Sequence, residues 1–169
     1  MPLLPLRTVV LTFLLVLIVF GKWCYSRPLL TAAPAAMVEH VELAPIAKHH
    51  IEHITLFGDE LGSIGIAISI PDPVPRQRLP VIMILGGLDT AEHTLANVPN
   101  PGNNIIVSYD WPMPLHPPSG LGFLWALPSL YKKIMLAPAQ IAAALDWVAA
   151  QPWADESRMS ILGFSLGAL

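Results

Sequence analysis

The stretch ALDWVAAQPWADESRMSILGFSLGA, residues 144–168, decides the fold class of this chain. Apolar residues spaced three and four apart in residues 138–151 predict an amphipathic helix, and Pro152 ends it. A short apolar strand follows, with Ile161 and Leu162 as its centre. The strand runs directly into a turn with glycine at positions 163 and 167. This order of helix, strand and tight turn favours an α/β fold.

The turn matches the pattern G-x-S-x-G, with Ser165 between Gly163 and Gly167. A serine nucleophile must stand clear of the sheet, and a very tight strand-to-helix turn exposes it at the cost of strained backbone. Residues two positions to either side must be small, because larger ones collide across the turn. The following helix directs its N-terminal N–H groups at the site. Ser165 is therefore the candidate nucleophile, and Gly163 and Gly167 are the glycines of the turn.

Upstream segments predict the other strands of the sheet. Residues 50–57 are rich in β-branched and aromatic side chains, and residues 63–71 alternate strictly between larger and smaller residues. These two segments flank the turn-forming GDELG, residues 58–62, which predicts a hairpin. Residues 81–87 and 104–111 read as further strands, the first of them buried on both faces. One face of the hairpin then carries Ile64, Ile66, Ile68 and Ile70.

Helical signals alternate with these strands. Asp89 and Glu92 resemble a capping box for a short helix, and residues 129–135 predict a second short helix inside a proline-broken stretch. A third helix begins near Pro138. We therefore predict the N-terminal part of an α/β fold, with a mostly parallel sheet and helices on both faces. In such sheets ligands bind beyond the carboxyl ends of the strands, where residues 163–167 lie.

Three stretches carry a resemblance to a known family: residues 62–90, 103–111 and 144–168. Over about residues 51–169 the chain resembles the α/β-hydrolase superfamily, and within it the dienelactone-hydrolase-like esterase and peptidase branch. The resemblance implies hydrolysis of a carboxylic ester or small amide through an acyl-serine at Ser165, with no metal or organic cofactor. It also implies an oxyanion hole made by the backbone N–H of Leu166 and a second N–H at Gly87 or Leu88.

The acid and the histidine of a catalytic triad are not found where the resemblance requires them. In this superfamily they follow the serine, whereas all six histidines and all twelve carboxylates lie before Ser165. We therefore expect a fragment that ends just after the nucleophile turn and has little or no turnover. The alternative is a non-catalytic, membrane-tethered α/β binding module or pseudoenzyme.

The N-terminus has the layout of an export signal or signal anchor. Residues 8–21 carry no charge, Arg7 precedes them and Lys22 follows them. We predict a hydrophobic helix that serves as signal anchor or signal peptide (residues 1–26), with membrane contact through residues 3–25. A tether rich in proline and alanine (residues 27–45) and a partial hydrolase domain (residues 46–169) follow. The corresponding location is membrane-anchored or exported to the cell envelope.

Composition and one further motif bear on other functions. The net charge is −3 and no basic run occurs, so nucleic acid is not an expected partner. The expected partner is a small ester or amide substrate of the full-length relative.

The sequence HHIEH, residues 49–53, matches a zinc-peptidase pattern only if it is helical, and its β-branched neighbours favour a strand instead. Asp110 and Trp111 end a strand on the side of the turn, where they could line an acyl pocket.

Overall fold

The computed structural model describes residues 14–16, 18, 34–46, 48–74, 76–87, 89–98, 100–112 and 121–168. The chain forms two compact units, residues 1–30 and residues 31–169. In the first unit the described residues are helical, and their side chains are exposed. The second unit contains the sheet and the helices described below.

Six strands form one sheet in the spatial order β1-β2-β3-β5-β4-β6. Their bounds are β1 (Ala36–Ile46), β2 (His49–Gly58), β3 (Gly62–Pro71), β4 (Leu79–Leu85), β5 (Ile105–Tyr109) and β6 (Ala154–Gly163). The strands predicted from residues 50–57, 63–71, 81–87 and 104–111 are therefore confirmed. The strand around Ile161 is confirmed as well, although it begins at Ala154.

The prediction of a mostly parallel sheet is wrong. Strands β1, β2 and β3 form antiparallel pairs, and β3 also pairs antiparallel with β5. Parallel pairing is confined to β4 with β5 and β4 with β6. The connections explain the difference, since the short turns between β1, β2 and β3 reverse the chain at once. Only β4, β5 and β6 are separated by segments long enough to return the chain in the same direction.

The two faces of the sheet bury different sets of side chains, as the alternation in β3 predicted. The four isoleucines of β3 lie on one face together with Val81 and Met83 of β4, in the larger core cluster. Ala67 of β3 lies on the opposite face in a smaller cluster with Ile84 and Ile106. The sheet is therefore apolar on both sides, which requires a cover on each of them.

Helices provide the two covers, so the mixed α/β class is confirmed. Helix α1 (Ala91–Ala96) packs Ala91 and Leu95 against the smaller cluster. Helix α2 (Leu121–Ala149) packs alanines and Val148 against the larger one. The sequence predicted two separate helices within this second region, but the helix is continuous across Pro128 and Pro138. Packing of Ala137, Ala139, Ala143, Ala144 and Val148 against the sheet offsets the lost backbone hydrogen bonds.

Two local predictions need correction. The N-cap of α1 is Thr90, whose hydroxyl accepts a hydrogen bond from the backbone N–H of His93, and not Asp89. Residues 36–45 belong to strand β1 and not to a tether. Almost all side chains of β1 are exposed, so the backbone ladder with β2 holds this strand rather than burial. An edge strand without a buried face leaves no alternation in the sequence from which to predict it.

The predicted N-terminal hydrophobic helix falls almost entirely outside the described residues. Only Leu14, Leu15, Val16 and Ile18 of residues 3–25 are described. Within the described part of the chain, none of the helices has both the length and the hydropathy needed to span a bilayer.

Candidate functional site

Ser165 lies immediately beyond the carboxyl end of β6. Gly163, the last residue of β6, pairs with Leu85, the last residue of β4, and the N–H of Phe164 donates to the Leu85 carbonyl at 3.1 Å. Residues Ser165–Ala168 then form a single 3₁₀ turn. The backbone of Ser165 has a φ of 57°, in the left-handed region. It is the one non-glycine residue with positive φ in the described part of the chain, and this conformation is costly for serine.

The two glycines of the pattern lie where no side chain fits. A Cβ atom at Gly163 would fall 2.0 Å from the carbonyl oxygen of Gly167. A Cβ atom at Gly167 would fall 2.1 Å from the carbonyl oxygen of Leu85. Both obstacles are backbone atoms, so neither can move aside as a flexible side chain would. The turn therefore requires glycine at both positions, because the chain folds back onto itself and onto the end of β4.

Gly87 is the neighbour of the serine in the turn that follows β4. A Cβ atom placed on Gly87 would lie 3.4 Å from the Oγ of Ser165 and 3.6 Å from its Cβ. The two residues line one open cleft of about 450 Å³, together with Asp89, Thr94, Asn97 and Phe164. The resemblance predicted that Gly87 or Leu88 lies near Ser165 and donates a backbone N–H to the oxyanion. Gly87 does lie there, whereas Leu88 lies outside the described residues.

The other predicted donor, Leu166, follows Ser165 in the 3₁₀ turn, so its backbone belongs to the same bend. Among the described residues, no side chain makes a hydrogen bond with the Ser165 hydroxyl, which is exposed. One histidine-containing pair involves a residue that lines the cleft. Asp89 lines the cleft and accepts a hydrogen bond from Nδ1 of His93, one helical turn further along. His93 is largely exposed, and so is the Asp89 carboxylate.

Asp110 and Trp111 contact the protein backbone next to the serine. The Oδ1 of Asp110 accepts a hydrogen bond from the N–H of Ala91 at 2.6 Å, at the first turn of α1. The indole N–H of Trp111 donates to the carbonyl of Gly86 at 2.9 Å. Neither residue is among those that line the cleft beside Ser165. The two residues were expected to line an acyl pocket. Instead, they contact the two ends of the turn between β4 and α1.

His53 supports Asp110 from the neighbouring part of the sheet. Its Nε2 donates to Oδ2 of Asp110 at 2.9 Å, and the carboxylate of Glu92 lies 3.7 Å from the same nitrogen. The hydrogen bond to Asp110 raises the pKa of His53 above its ordinary value, and partial burial acts in the opposite direction. Sequence reasoning missed this pair, because nothing in the sequence shows that β2 faces the end of β5 across β3.

Tyr109 anchors the same region from within the core. Its hydroxyl donates to Oε1 of Gln140 in α2 at 2.5 Å, and Gln140 donates in turn to the carbonyl of Leu61 at 2.7 Å. Tyr109 and Trp111 meet edge to face with ring centroids 5.5 Å apart. Burial raises the pKa of the Tyr109 hydroxyl, and the charge of Asp110 adds to this effect. The hydroxyl therefore stays protonated as a donor at neutral pH.

The zinc alternative is not supported by the geometry. Residues 49–53 lie in strand β2, so the helical spacing that the motif requires is absent. His49 is buried and contacts Ser69 and the carbonyl of Gly102, while His53 contacts Asp110. In the described part of the chain, no group of three or more His, Cys, Asp or Glu side chains could hold a metal ion.

The fold of this chain is similar to that of several solved structures, which are those of esterases and related hydrolases. A protein assigned as an acetyl xylan esterase from Bacteroides fragilis is 15% identical, with a TM-score of 0.59 over 83% of this chain and 44% of that one. An S-formylglutathione hydrolase from Agrobacterium tumefaciens is 18% identical, with a TM-score of 0.55 over 78% of this chain and 53% of that one. A dienelactone-hydrolase-like promiscuous phosphotriesterase from metagenomic libraries is 16% identical, with a TM-score of 0.51 over 72% and 51%.

These similarities show that the mixed α/β fold of this chain is consistent with the α/β-hydrolase fold. The chain spans about half the length of the solved structures it matches. No family model matches the sequence, and no curated protein matches it. At these identities the comparisons establish the fold alone.

Proposed function

We propose that this chain carries the nucleophile half of a serine hydrolase that cleaves a carboxylic ester or a small amide. The observation that carries the proposal is the left-handed backbone of Ser165 beside Gly87, at the carboxyl end of β6. The bend that strains this serine is possible because Gly163 and Gly167 carry no side chain. The likeness in fold to esterases supports the same chemistry.

The reaction proceeds through a covalent intermediate. The Oγ of Ser165 attacks the carbonyl carbon, a C–O bond forms, and the hydroxyl proton passes to a base. The carbonyl oxygen becomes an oxyanion, which the backbone N–H groups of Leu166 and Gly87 stabilise. Collapse of this intermediate expels the alcohol or amine, which takes up a proton, and leaves an acyl-serine. Water then attacks the acyl carbon and releases the acid and the free serine.

Among the described residues, none is hydrogen-bonded to Ser165 as its base would be. Every histidine and carboxylate precedes Ser165 in the sequence, and none of the described ones contacts its hydroxyl. An unassisted serine hydroxyl is a weak nucleophile, so we expect little or no turnover from the chain alone. The second candidate, a non-catalytic α/β binding module, is favoured by this same missing contact.

The acyl group of the substrate is small in this proposal. The cleft beside Ser165 has a volume of about 450 Å³, within the range of sites for small molecules. The neighbouring structures carry the names acetyl xylan esterase and S-formylglutathione hydrolase, which agree with a short acyl chain. We therefore choose short-chain acyl or phosphonyl probes for the tests.

Chemical rescue tests the proposal. The purified chain is incubated with a small fluorophosphonate in the presence of increasing imidazole, which acts as an external base. The serine oxygen forms a P–O bond, the P–F bond breaks, fluoride leaves, and imidazole takes the serine proton. Mass spectrometry of peptides measures the adduct at Ser165 and, as an internal control, at the exposed Ser160 of β6.

We expect imidazole-dependent labelling of Ser165 that exceeds labelling of Ser160 by about 100-fold, the contribution of a single oriented backbone donor. Ser165→Ala removes the adduct and leaves Ser160 unchanged. Equal, slow labelling of both serines at every imidazole concentration overturns the nucleophile assignment and favours the binding module.

We propose separately that the N-terminal segment directs the chain to a membrane or to export. The apolar residues 8–21 support an anchor or export signal, so that the hydrolase domain is attached to a membrane or exported to the cell envelope. Expression of the full chain and of residues 27–169 as fluorescent fusions, followed by fractionation, tests this. Recovery of both fusions in the same soluble fraction would contradict it.

A further inference from the structure

Two consecutive residues at the end of β5 hold the two ends of the turn that follows β4. Trp111 donates its indole N–H to the carbonyl of Gly86, where that turn begins. Asp110 accepts the N–H of Ala91, where α1 begins. The turn is thus fixed at both ends from the neighbouring strand, and Gly87 lies inside it, next to Ser165.

The contact between Trp111 and Gly86 determines the direction of a backbone donor. In a trans peptide the C=O of one residue and the N–H of the next point in opposite directions. Because the Gly86 carbonyl is directed at the indole of Trp111, the N–H of Gly87 is directed away from it. Rotation of this peptide would break the 2.9 Å hydrogen bond and redirect the donor. The indole therefore fixes the orientation of the N–H of Gly87, a residue that lies beside Ser165.

Trp111 and Asp110, which together form a clamp on this turn, are themselves held in place by other residues. The ring of Trp111 packs edge to face on Tyr109, which is bonded to Gln140 of α2. The N–H of Asp110 donates to the carbonyl of Gly65, and its second carboxylate oxygen accepts from His53.

Glycines make room for the clamp on two sides. A Cβ at Gly65 would fall 2.6 Å from the Asp110 carboxylate, and a Cβ at Gly86 would fall 2.7 Å from the Thr94 hydroxyl. Side-chain-free positions on β3 and at the end of β4 thus allow Asp110 and α1 to approach this closely.

We propose that Trp111 and Asp110 are positioning residues that keep the Gly87 N–H oriented for the oxyanion formed at Ser165, an inference that rests on the proposed function. Neither residue lines the cleft, so they act through the backbone and not by touching substrate. A donor held before the reaction stabilises the transition state without reorganising, so its loss lowers the maximal rate more than it weakens binding.

Trp111→Phe is the informative variant, because it keeps an aromatic ring against Tyr109 and removes the indole N–H together with part of the bicyclic ring. Trp153→Phe is the matched control, because Trp153 packs against the same core but lies in the turn between α2 and β6. Asp110→Asn is the second variant, since its amide oxygen can still accept from Ala91 while the charge beside His53 is lost. Thermal unfolding establishes that each variant is folded before reactivity is compared.

Two readouts are measured at fixed imidazole concentration. The first is the phosphonylation rate at Ser165 as a function of probe concentration, with Ser160 as internal reference. We expect Trp111→Phe to lower the saturating rate by about tenfold or more, as small misplacements of catalytic groups do, while the half-saturating concentration stays the same. The second is amide hydrogen exchange in residues 86–91, which should become faster in Trp111→Phe and not in Trp153→Phe.

The outcomes separate the two proposals. Wild-type labelling of Ser165 no faster than that of Ser160 overturns the proposed function before any variant is considered. Specific wild-type labelling that is unchanged in Trp111→Phe overturns the positioning role and leaves the proposed function intact. An equal loss of rate in Trp111→Phe and Trp153→Phe also overturns it, because the effect then comes from the core in general.

Discussion

A Cβ atom on Gly163 would lie 2.0 Å from the carbonyl oxygen of Gly167. The two residues are four positions apart in the chain, so this contact measures how sharply the backbone bends around Ser165. The bend brings Gly167 equally close to Leu85, which joins the turn to the end of β4.

Alanine at either glycine of the bend should destabilise the protein. Gly163→Ala and Gly167→Ala each place a methyl group against a backbone carbonyl, and we expect a loss of about 3 kcal/mol in the free energy of unfolding, at the upper end for overpacking. Urea titration followed by circular dichroism measures it. Ser160→Ala on the exposed face of β6 is the control and should change stability by no more than about 0.5 kcal/mol. Wild-type stability in both glycine variants would show that the bend is not formed in solution.

Alanine at Gly87 should separate stability from reactivity. Among the described residues, the added methyl group meets only the Ser165 side chain, at 3.4 Å from Oγ, so we expect the fold to tolerate it. The same methyl group occupies space that an attacking hydroxyl and its substrate need. We therefore expect an unfolding midpoint close to that of the wild type and a fall of about tenfold or more in Ser165 phosphonylation. Undiminished labelling would place the reacting atoms on the other side of the serine.

His93 should not act as the base for Ser165. It is held by Asp89 on the rim of the cleft and is largely exposed, and it makes no hydrogen bond with the serine in the described structure. We expect the fluorophosphonate to label Ser165 of the His93→Ala variant at the wild-type rate, with and without imidazole. A loss of imidazole-independent labelling in this variant would instead identify His93 and Asp89 as base and acid. His50→Ala, on β2, controls for general effects of removing a histidine.

The His53–Asp110 pair should make stability depend on pH. The pKa of His53 is raised in the folded protein above its ordinary value of 6.5, chiefly by the hydrogen bond to Asp110 and also by the charges of Glu92 and Glu39. Its contribution is therefore fully present below about pH 6.5 and is lost as pH rises through the raised pKa. Unfolding midpoints in urea across this range should fall with increasing pH. His53→Gln should flatten the curve, and an unchanged slope would contradict the pairing.

The buried link between Tyr109 and Gln140 should stabilise the protein without affecting reactivity at Ser165 directly. Tyr109→Phe removes the hydroxyl and leaves Oε1 of Gln140 without that donor inside the core. We expect a loss of about 1–3 kcal/mol in the free energy of unfolding, typical of an unsatisfied buried acceptor. Denaturant titration measures this loss. A smaller loss in Tyr109→Phe than in the surface variant Ser160→Ala would show that the link is not formed.

Hydrophobic patterning was sufficient for the elements that bury a face. The alternation of isoleucines in β3 has the period of a strand, and the apolar run of β4 is short and ends in glycines, which favours a buried strand. Both strands are found where predicted. The edge strand β1 was missed because its side chains are exposed, so the backbone alone determines its pairing. The direction of pairing was also mispredicted, since it depends on which strands become neighbours and not on any one segment.

The candidate site was predictable only in its local part. The spacing of Gly163, Ser165 and Gly167 lies within five residues, and steric exclusion across a bend can be argued from such a pattern alone. The contacts of Asp110 with His53 and with Ala91 join residues that are 57 and 19 positions apart. Side-chain contacts at such separations depend on strand order and register, which the sequence of one chain does not state.

The position of β6 has a consequence for how this molecule can be handled. In the part of the chain that the structure describes, β6 has a strand neighbour on one side only, and Ile161, Leu162 and Phe164 are about half exposed there. Unsatisfied amide and carbonyl groups beside apolar side chains invite another polypeptide to add to the sheet. The chain should therefore become turbid as its concentration rises, and a lysine at position 161 should delay the onset by placing a solvated charge along the open edge.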